Sequence, residues 1–379
     1  MSKYSKKIGI LTLDGYFNYG NRLQNFALQE VVKKFGFEVE TLVIPRKDRH
    51  PKHNKENKLL RLLKQPPAKT MKQVLHKFSL YSNKQAIQQK SEIFKHFSKT
   101  NLSERFCDIT KEPLQNVGRD YDYLIVGSDQ VWNPYNIIHA EDAFFLTFVE
   151  PAKRISYAAS FGITELPNYF KDMITPWLSQ MKAISVREYA GAKIVKELTA
   201  RDAEVLLDPT LLLSKQEWLA HAKGDRRPDK KFLLTYFLGE KPKDAAQLIS
   251  DLRKDYGFEV VNLADVKDLT AYQTGPQEFI DYINSAELVL TDSFHGMAFS
   301  VLMETPFVVY ERIGSISMYS RIETLLRKLQ LLDRVSTEIR IKKDLFGVNF
   351  KESRILLSNE RQRASSYLEK ALDGGQGEK

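Results

Sequence analysis

Ile8-Gly9-Ile10-Leu11-Thr12-Leu13 is an almost wholly apolar run, and Asp14-Gly15-Tyr16-Phe17-Asn18-Tyr19-Gly20-Asn21 follows it as a polar, glycine-containing loop. Leu23, Phe26, Ala27, Val31 and Phe35 then recur at helical spacing, and Gly36 stands where the glycine beyond a helix end belongs. Val39 to Ile44 is a second apolar run. Strand, loop, helix, strand is a βαβ unit, and it predicts a parallel sheet in an α/β fold.

The same grammar continues outward. Tyr123 to Val126 runs into Gly127-Ser128-Asp129-Gln130, and Ile155 to Ala159 runs into Ser160-Phe161-Gly162. Ala183 to Val186 ends at Arg187-Glu188, and Glu204 to Leu207 ends at Asp208-Pro209-Thr210. Short apolar strands followed by polar or small residues mark the functional edge of an open α/β sheet. Lys223 to Lys231 is polar and turn-rich, as a linker is. Beyond it the pattern restarts with strands at Phe232–Phe237, Phe258–Leu263, Leu288–Thr291 and Phe307–Tyr310, separated by helical segments.

At 379 residues the chain is long enough to split into two cores. The expected organisation is an N-terminal Rossmann-like domain over 1–222 and a C-terminal Rossmann-like domain over 223–352. A polar helix covers 353–373, and a disordered tail covers 374–379. Residues 46 to 111 read as an inserted segment, with Arg46, Lys47, Lys58, Arg61, Lys72 and Lys77 interleaved with Leu59, Leu60, Leu62, Leu63, Val74 and Leu75.

A composition 42% hydrophobic and 28% charged excludes wholesale disorder. The net charge of +9 attracts phosphates, acidic glycans or anionic lipid without choosing among them. Cys107 is the only cysteine, so neither an internal disulfide nor a multi-cysteine metal site forms. The apolar run behind the basic N-terminus stops at Asp14, too soon for a signal-peptide core, and no run of about 18 apolar residues occurs. A cytoplasmic protein is expected.

The sharpest local feature is Thr291-Asp292-Ser293-Phe294-His295-Gly296. A strand ends, Ser293 is placed to cap the next helix, and His295 falls in the first turn, where free N–H groups and the helix dipole attract anions. Gly296 there would let a ligand approach the backbone. His295 is read as an anion donor and proton carrier, with capping or packing as the alternative. Arg187 offers a fork for a carboxylate or phosphate, or else pairs with Glu188 or Asp208. Asn18, Asn21 and Gln24 could take sugar hydroxyls or a phosphate, or simply build a turn. Asp129 and Gln130 are candidates for substrate or interdomain contact, whereas Trp132 reads as core. There is no H-E-x-x-H and no G-x-S-x-G, and the seven histidines lack ligand spacing, so a metal-independent mechanism is expected.

These strand ends, taken in order, resemble the polysaccharide pyruvyl transferase family. The matching stretches are the Ile8-to-Gln24 block, Val126 to Asn133, Ser156 to Gly162, Ser185 to Glu188, Leu207 to Thr210, Ser293 to Gly296 and Ser320-Arg321-Ile322. The likeness runs from about residue 7 to about residue 333 and is weakest in the basic insertion. It implies a GT-B-like fold: two Rossmann-like domains facing a cleft, the second binding the donor, with the helix over 353–373 packing back on the first. It also implies phosphoenolpyruvate as donor, no cofactor, and a pyruvyl ketal formed on a glycan or lipid-linked glycan acceptor. On that resemblance Arg187 and His295 fall on essential positions, with Ser293, Gly296 and Arg321 on the donor side. Asn18, Asn21, Gln24, Asp129 and Gln130 fall to the acceptor. The basic insertion then reads as a peripheral contact with anionic membrane at its inner face, or as a solvated surface. Competing readings are a GT-B glycosyltransferase using a nucleotide sugar and a non-catalytic glycan-binding protein; nucleic-acid binding rests on net charge alone.

Overall fold

The computed structural model describes residues 6–44, 83–138, 140–313, 319–339 and 342–372. The N-terminal sheet is built on β1 (Lys7–Leu11), flanked by β2 (Glu38–Val43) and β4 (Tyr123–Val126), with β3 (Glu104–Phe106) and β5 (Arg154–Ser156) outside them. All its pairs are parallel. Bridges Ile155 to Ala183 and Ala159 to Val186 extend it toward a parallel pair, β6 (Ser185–Val186) and β7 (Glu204–Val205). Strand order reverses between β1 and β4, so a crevice opens at their carboxyl ends.

The second sheet has the parallel order β11-β10-β8-β9, from β8 (Phe232–Tyr236), β9 (Glu259–Asn262), β10 (Leu288–Thr291) and β11 (Phe307–Val309). Its own switch lies between β8 and β10. The two parallel-sheet domains present these crevices to one cleft, the GT-B-like arrangement expected.

Helix α1 (Tyr19–Lys34) follows β1. Asn18 caps it by accepting from the Asn21 N–H at 3.3 Å, and Gly36 closes it at a φ of 84°. Helix α2 (Lys84–Asn101) and β3 correct the reading of 46–111 as one insertion: β3 is the edge strand of the first sheet, paired with β2. A three-residue strand leaves no periodicity to read. The basic stretch up to Lys77 lies outside the described residues. Trp132 is core, stacked on Phe145 with its indole N–H donating to Phe144 O at 3.1 Å.

Helices α3 (Asn168–Ser179) and α4 (Tyr189–Thr199) complete the first half; α5 (Lys243–Tyr256), α6 (Pro276–Ser285), α7 (Phe294–Met303) and α8 (Ser320–Lys328) serve the second. The last helix, α9 (Lys351–Leu372), touches the first domain: the Tyr367 hydroxyl donates to Ser156 O at 2.7 Å, and Arg361 donates to Leu211 O and Leu213 O. No described helix is long and apolar enough to cross a membrane.

The interface between the sheets is a hydrophobic core rather than a wet seam. Tyr19 of α1 stacks on Phe279 of α6 with centroids 4.5 Å apart, and Phe26 meets Trp218, which meets Phe299. Lys90 of α2 is buried in this seam. Its ammonium donates to the Tyr19 hydroxyl at 3.1 Å and to Leu263 O at 3.4 Å, and lies over the Tyr19 and Tyr272 rings. Burial lowers its pKa to about 7. A lysine depressed in the fold costs stability fully below that value, and the cost fades as pH rises toward the unfolded pKa. The unfolding free energy from urea titration should therefore rise from pH 7 to 9.5 by on the order of 2 kcal/mol more in the native protein than in Lys90→Met. Parallel pH curves for the two proteins would contradict this.

Candidate functional site

At the end of β10, the Thr291 hydroxyl donates to Tyr236 O at 2.6 Å and accepts from the Ser293 N–H at 3.0 Å. This turn sets Ser293 as the cap of α7, accepting from the Gly296 N–H at 3.3 Å. His295 therefore leaves the first turn toward the other domain. Its ring rests directly on the Cα of Gly20 in α1, where a Cβ would stand 1.9 Å from Nδ1. The Phe294 ring is perpendicular to it, with centroids 5.2 Å apart.

Behind the imidazole lies a buried charge network from the ends of β4, β6 and β7. Arg187, after β6, donates from Nη1 to Asp208 Oδ2 at 2.7 Å, and its Nη2 lies 3.5 Å from Asp129 Oδ1. The guanidinium also covers the Phe294 ring at 4.4 Å. Asp208 further accepts from the Ser128 hydroxyl at 2.8 Å and from both donors of Thr210. His295 Nε2 is 3.6 Å from its Oδ2, an ion-pair separation longer than a hydrogen bond. Burial alone would raise the Asp208 carboxyl; His295, Arg187 and the Thr210 N–H hold it far below the ordinary range.

Asp129 sits at a φ of 72°, where its Oδ2 accepts from Asn21 Nδ2 at 3.3 Å and its Oδ1 from the Gln130 N–H at 2.9 Å. Burial would raise this carboxyl too, but Arg187, His295, Arg321 and the Asn21 amide outweigh it and keep it low.

In front of this network is a cavity of about 290 Å³ with two unlike walls. The N-terminal domain supplies Asn18, Asn21, Asp129, Gln130 and Asn136; the C-terminal domain supplies Ser293, Phe294, His295, Arg312 and Arg321. Arg312 is tied to Asp292 at 3.3 Å, and Asp292 also accepts from the Leu238 and Gly239 N–H groups. Arg321 is 7% exposed, and its Nε makes no hydrogen bond among the described residues. Burial, then the charge of Arg187, lowers its pKa to about 10. Nε and Nη2 of Arg187 and Nε2 of His295 are likewise buried without a hydrogen bond. Unmet cationic donors clustered at a cavity are what an anion would complete.

Seven of the expected residues thus meet at one cavity: Asn18, Asn21, Asp129, Gln130, Ser293, His295 and Arg321. Three do not line it. Gln24 faces inward, fully buried, with Nε2 on Thr12 Oγ1 at 2.8 Å and Asn21 O at 3.1 Å. Gly296 is small because a Cβ would meet Thr291 Oγ1 at 2.6 Å, and its N–H is already taken by Ser293; it is a packing glycine, not a ligand approach. Arg187 lies behind the cavity and pairs with Asp208, the ion-pair alternative for this residue. Arg312 and Asn136 escaped the sequence reading, although Arg312 follows β11 as other site residues follow their strands.

The fold and cleft define a two-domain α/β protein with an anion-receptive site between parallel sheets. The family model for polysaccharide pyruvyl transferase matches residues 18–312, and the chain belongs to that family. Solved structures share its outline at low identity. A putative UDP-N-acetylglucosamine 2-epimerase from Listeria monocytogenes is 12% identical at a TM-score of 0.46, covering 93% of this chain and 95% of that one. UDP-GlcNAc 2-epimerase from Neisseria meningitidis, bound to UDP-GlcNAc, is 11% identical at 0.43 over 93% and 99%. An α-glucosyltransferase in complex with UDP and DNA is 11% identical at 0.44 over 97% and 96%. No curated protein sequence is significantly similar.

Inorganic phosphate should raise the Tm with the logarithm of its concentration, by the equivalent of about 2.7 kcal/mol at a hundredfold excess over Kd. Arg321→Met should remove most of that shift in differential scanning fluorimetry. Equal shifts in both proteins would place the phosphate elsewhere.

Proposed function

We propose that this protein transfers the pyruvyl group of phosphoenolpyruvate to two hydroxyls of a sugar in a cell-surface polysaccharide or its lipid-linked precursor, forming a ketal and releasing phosphate. Family membership supports a pyruvyl transferase acting on a glycan. The observation that carries the donor assignment is the buried guanidinium of Arg321, its Nε without a hydrogen bond among the described residues, beside His295 in the cavity. A small skeleton bearing phosphate and carboxylate needs clustered cations, and Arg321, Arg312 and the first turn of α7 supply them. The neutral amides and carboxylate of the opposite wall suit sugar hydroxyls.

The chemistry follows from these walls. A proton adds to the donor methylene carbon, and the neighbouring carbon becomes oxocarbenium-like. One sugar hydroxyl adds there and gives up its proton; phosphate then leaves with the C–O electron pair, and the second hydroxyl closes the ketal. One hydroxyl proton balances the new methyl group and the other leaves with phosphate. In this reading His295 neutralises the phosphate and relays a proton to it, with the Asp208 carboxylate as a fixed counter-charge 3.6 Å away. Arg187 acts from behind, holding Asp208 and Asp129 in place, and so replaces the direct donor anchor expected of it. Asp129 orients the acceptor. The cations already present make a metal unnecessary in this scheme.

The deciding experiment is phosphate release from phosphoenolpyruvate across a panel of glycan acceptors, with NMR detection of the ketal methyl. His295→Ala should lose 10²–10⁴-fold in rate; a loss below about tenfold would remove His295 from proton transfer. The lysines between Arg46 and Lys77 further support peripheral association with anionic lipid. Salt-sensitive flotation with phosphatidylserine liposomes is the expected result, and no flotation at low salt counts against it.

A further inference from the structure

Arg22 lies in the first turn of α1 and is fully buried, yet it does not reach the cavity. Its donors stay within the N-terminal domain. Nη1 donates to Glu104 Oε1 at 3.0 Å and Ser98 Oγ at 3.4 Å, and Nη2 donates to Leu13 O at 2.7 Å. Nε and Nη2 both donate to Asn21 Oδ1, at 3.2 and 2.9 Å.

Two N–H groups on one amide oxygen decide which way the Asn21 side chain faces. With Oδ1 toward Arg22, Nδ2 points the other way and donates to Asp129 Oδ2 at 3.3 Å. A flipped amide would set its NH₂ against the guanidinium and its oxygen against the carboxylate, losing the bonds on both sides. The Asn21 bond adds to the support of Asp129, whose left-handed φ of 72° is uncommon for a residue other than glycine and is also braced by its own Oδ1 accepting from the Gln130 N–H. Glu104, which anchors Arg22, belongs to β3, an edge strand with no residue of its own in the cavity.

We infer that Glu104, Arg22 and Asn21 form a positioning relay that aims the Asp129 carboxylate into the acceptor side of the cavity. The inference rests on the acceptor role proposed for Asp129. Arg22 and Glu104 act through Asn21 and touch no reacting atom. The charged and titratable groups facing Asp129 are Arg187, His295, Arg321 and Tyr236. The relay supplies only the Asn21 hydrogen bond, so breaking it weakens the support of the anion while leaving those charges in place.

The test compares Asn21→Ser, Arg22→Met and the double variant, with Glu104→Gln as the mildest lesion because that side chain sits at the sheet edge. The first readout needs no substrate: a ¹³C carboxyl NMR titration of Asp129, assigned with Asp129→Asn. Each single variant should raise the titration midpoint by about half a pH unit or more, and the double variant by no more than the larger single effect. The second readout is kinetic. Acceptor KM should rise about tenfold while phosphoenolpyruvate affinity, measured by calorimetry, stays within about twofold. Should Arg22→Met fail to fold, Glu104→Gln must still shift the Asp129 midpoint in the same direction. An unmoved Asp129 midpoint in folded variants, or additive effects in the double variant, overturns the relay. A chain that binds no phosphoenolpyruvate but shows the shifted midpoint refutes the proposed donor and leaves the relay standing.

Discussion

The guanidinium of Arg187 has almost no contact with solvent, and it sits between two carboxylates held beyond the ends of β4 and β7. Removing three ionised groups from water is costly, and the cost is met only when each has hydrogen bonds in good geometry. Asp208 has them from Arg187, Ser128 and Thr210; Asp129 has them from Asn21 and its own loop. The polar residues at the ends of β4, β6 and β7 are therefore committed to one arrangement. Losing Asp208 would take from Arg187 its one short hydrogen bond and leave Asp129, 3.5 Å away, as the counter-charge. The cavity floor is rigid for this reason, and the side chains facing the ligand inherit that rigidity.

The two walls differ because two switch points face each other. Each sheet opens a crevice where its strand order reverses, and the residues just beyond the strand ends fill that crevice. In the first domain these are amides and an anion. In the second they are a helix start, a histidine and two arginines. Under the proposed function, that asymmetry would sort a donor with two anionic groups from an acceptor with hydroxyls.

Much of the fold was legible because β1, α1, β2 and the later strands repeat an apolar rhythm that has only one reading. The Gly36 helix end and the Ser293 cap follow from residue type at a helix boundary. Strand β3 was hidden, since Glu104-Arg105-Phe106 is too short to show a period. The site was legible as a set of strand ends but not in its facing. Gln24 lies one turn beyond Asn21, yet only the packed structure shows that it turns inward to Thr12. Gly296 stands at a helix start whether its Cα faces a ligand or Thr291. Arg187 could grip a ligand or its own carboxylates, and sequence spacing does not measure the distance to Asp208. Arg312 stands three residues beyond β11 and draws its place from Asp292, a contact between loops far apart in the chain.

Gly20 gives this arrangement a further property. The His295 ring belongs to one domain and its seat belongs to the other, with no side chain between them. Any separation of the two domains would lift the imidazole off that seat and away from Asp208. The distance from His295 to Asp208 is therefore a property of how the two domains meet, and a side chain at position 20 would set it.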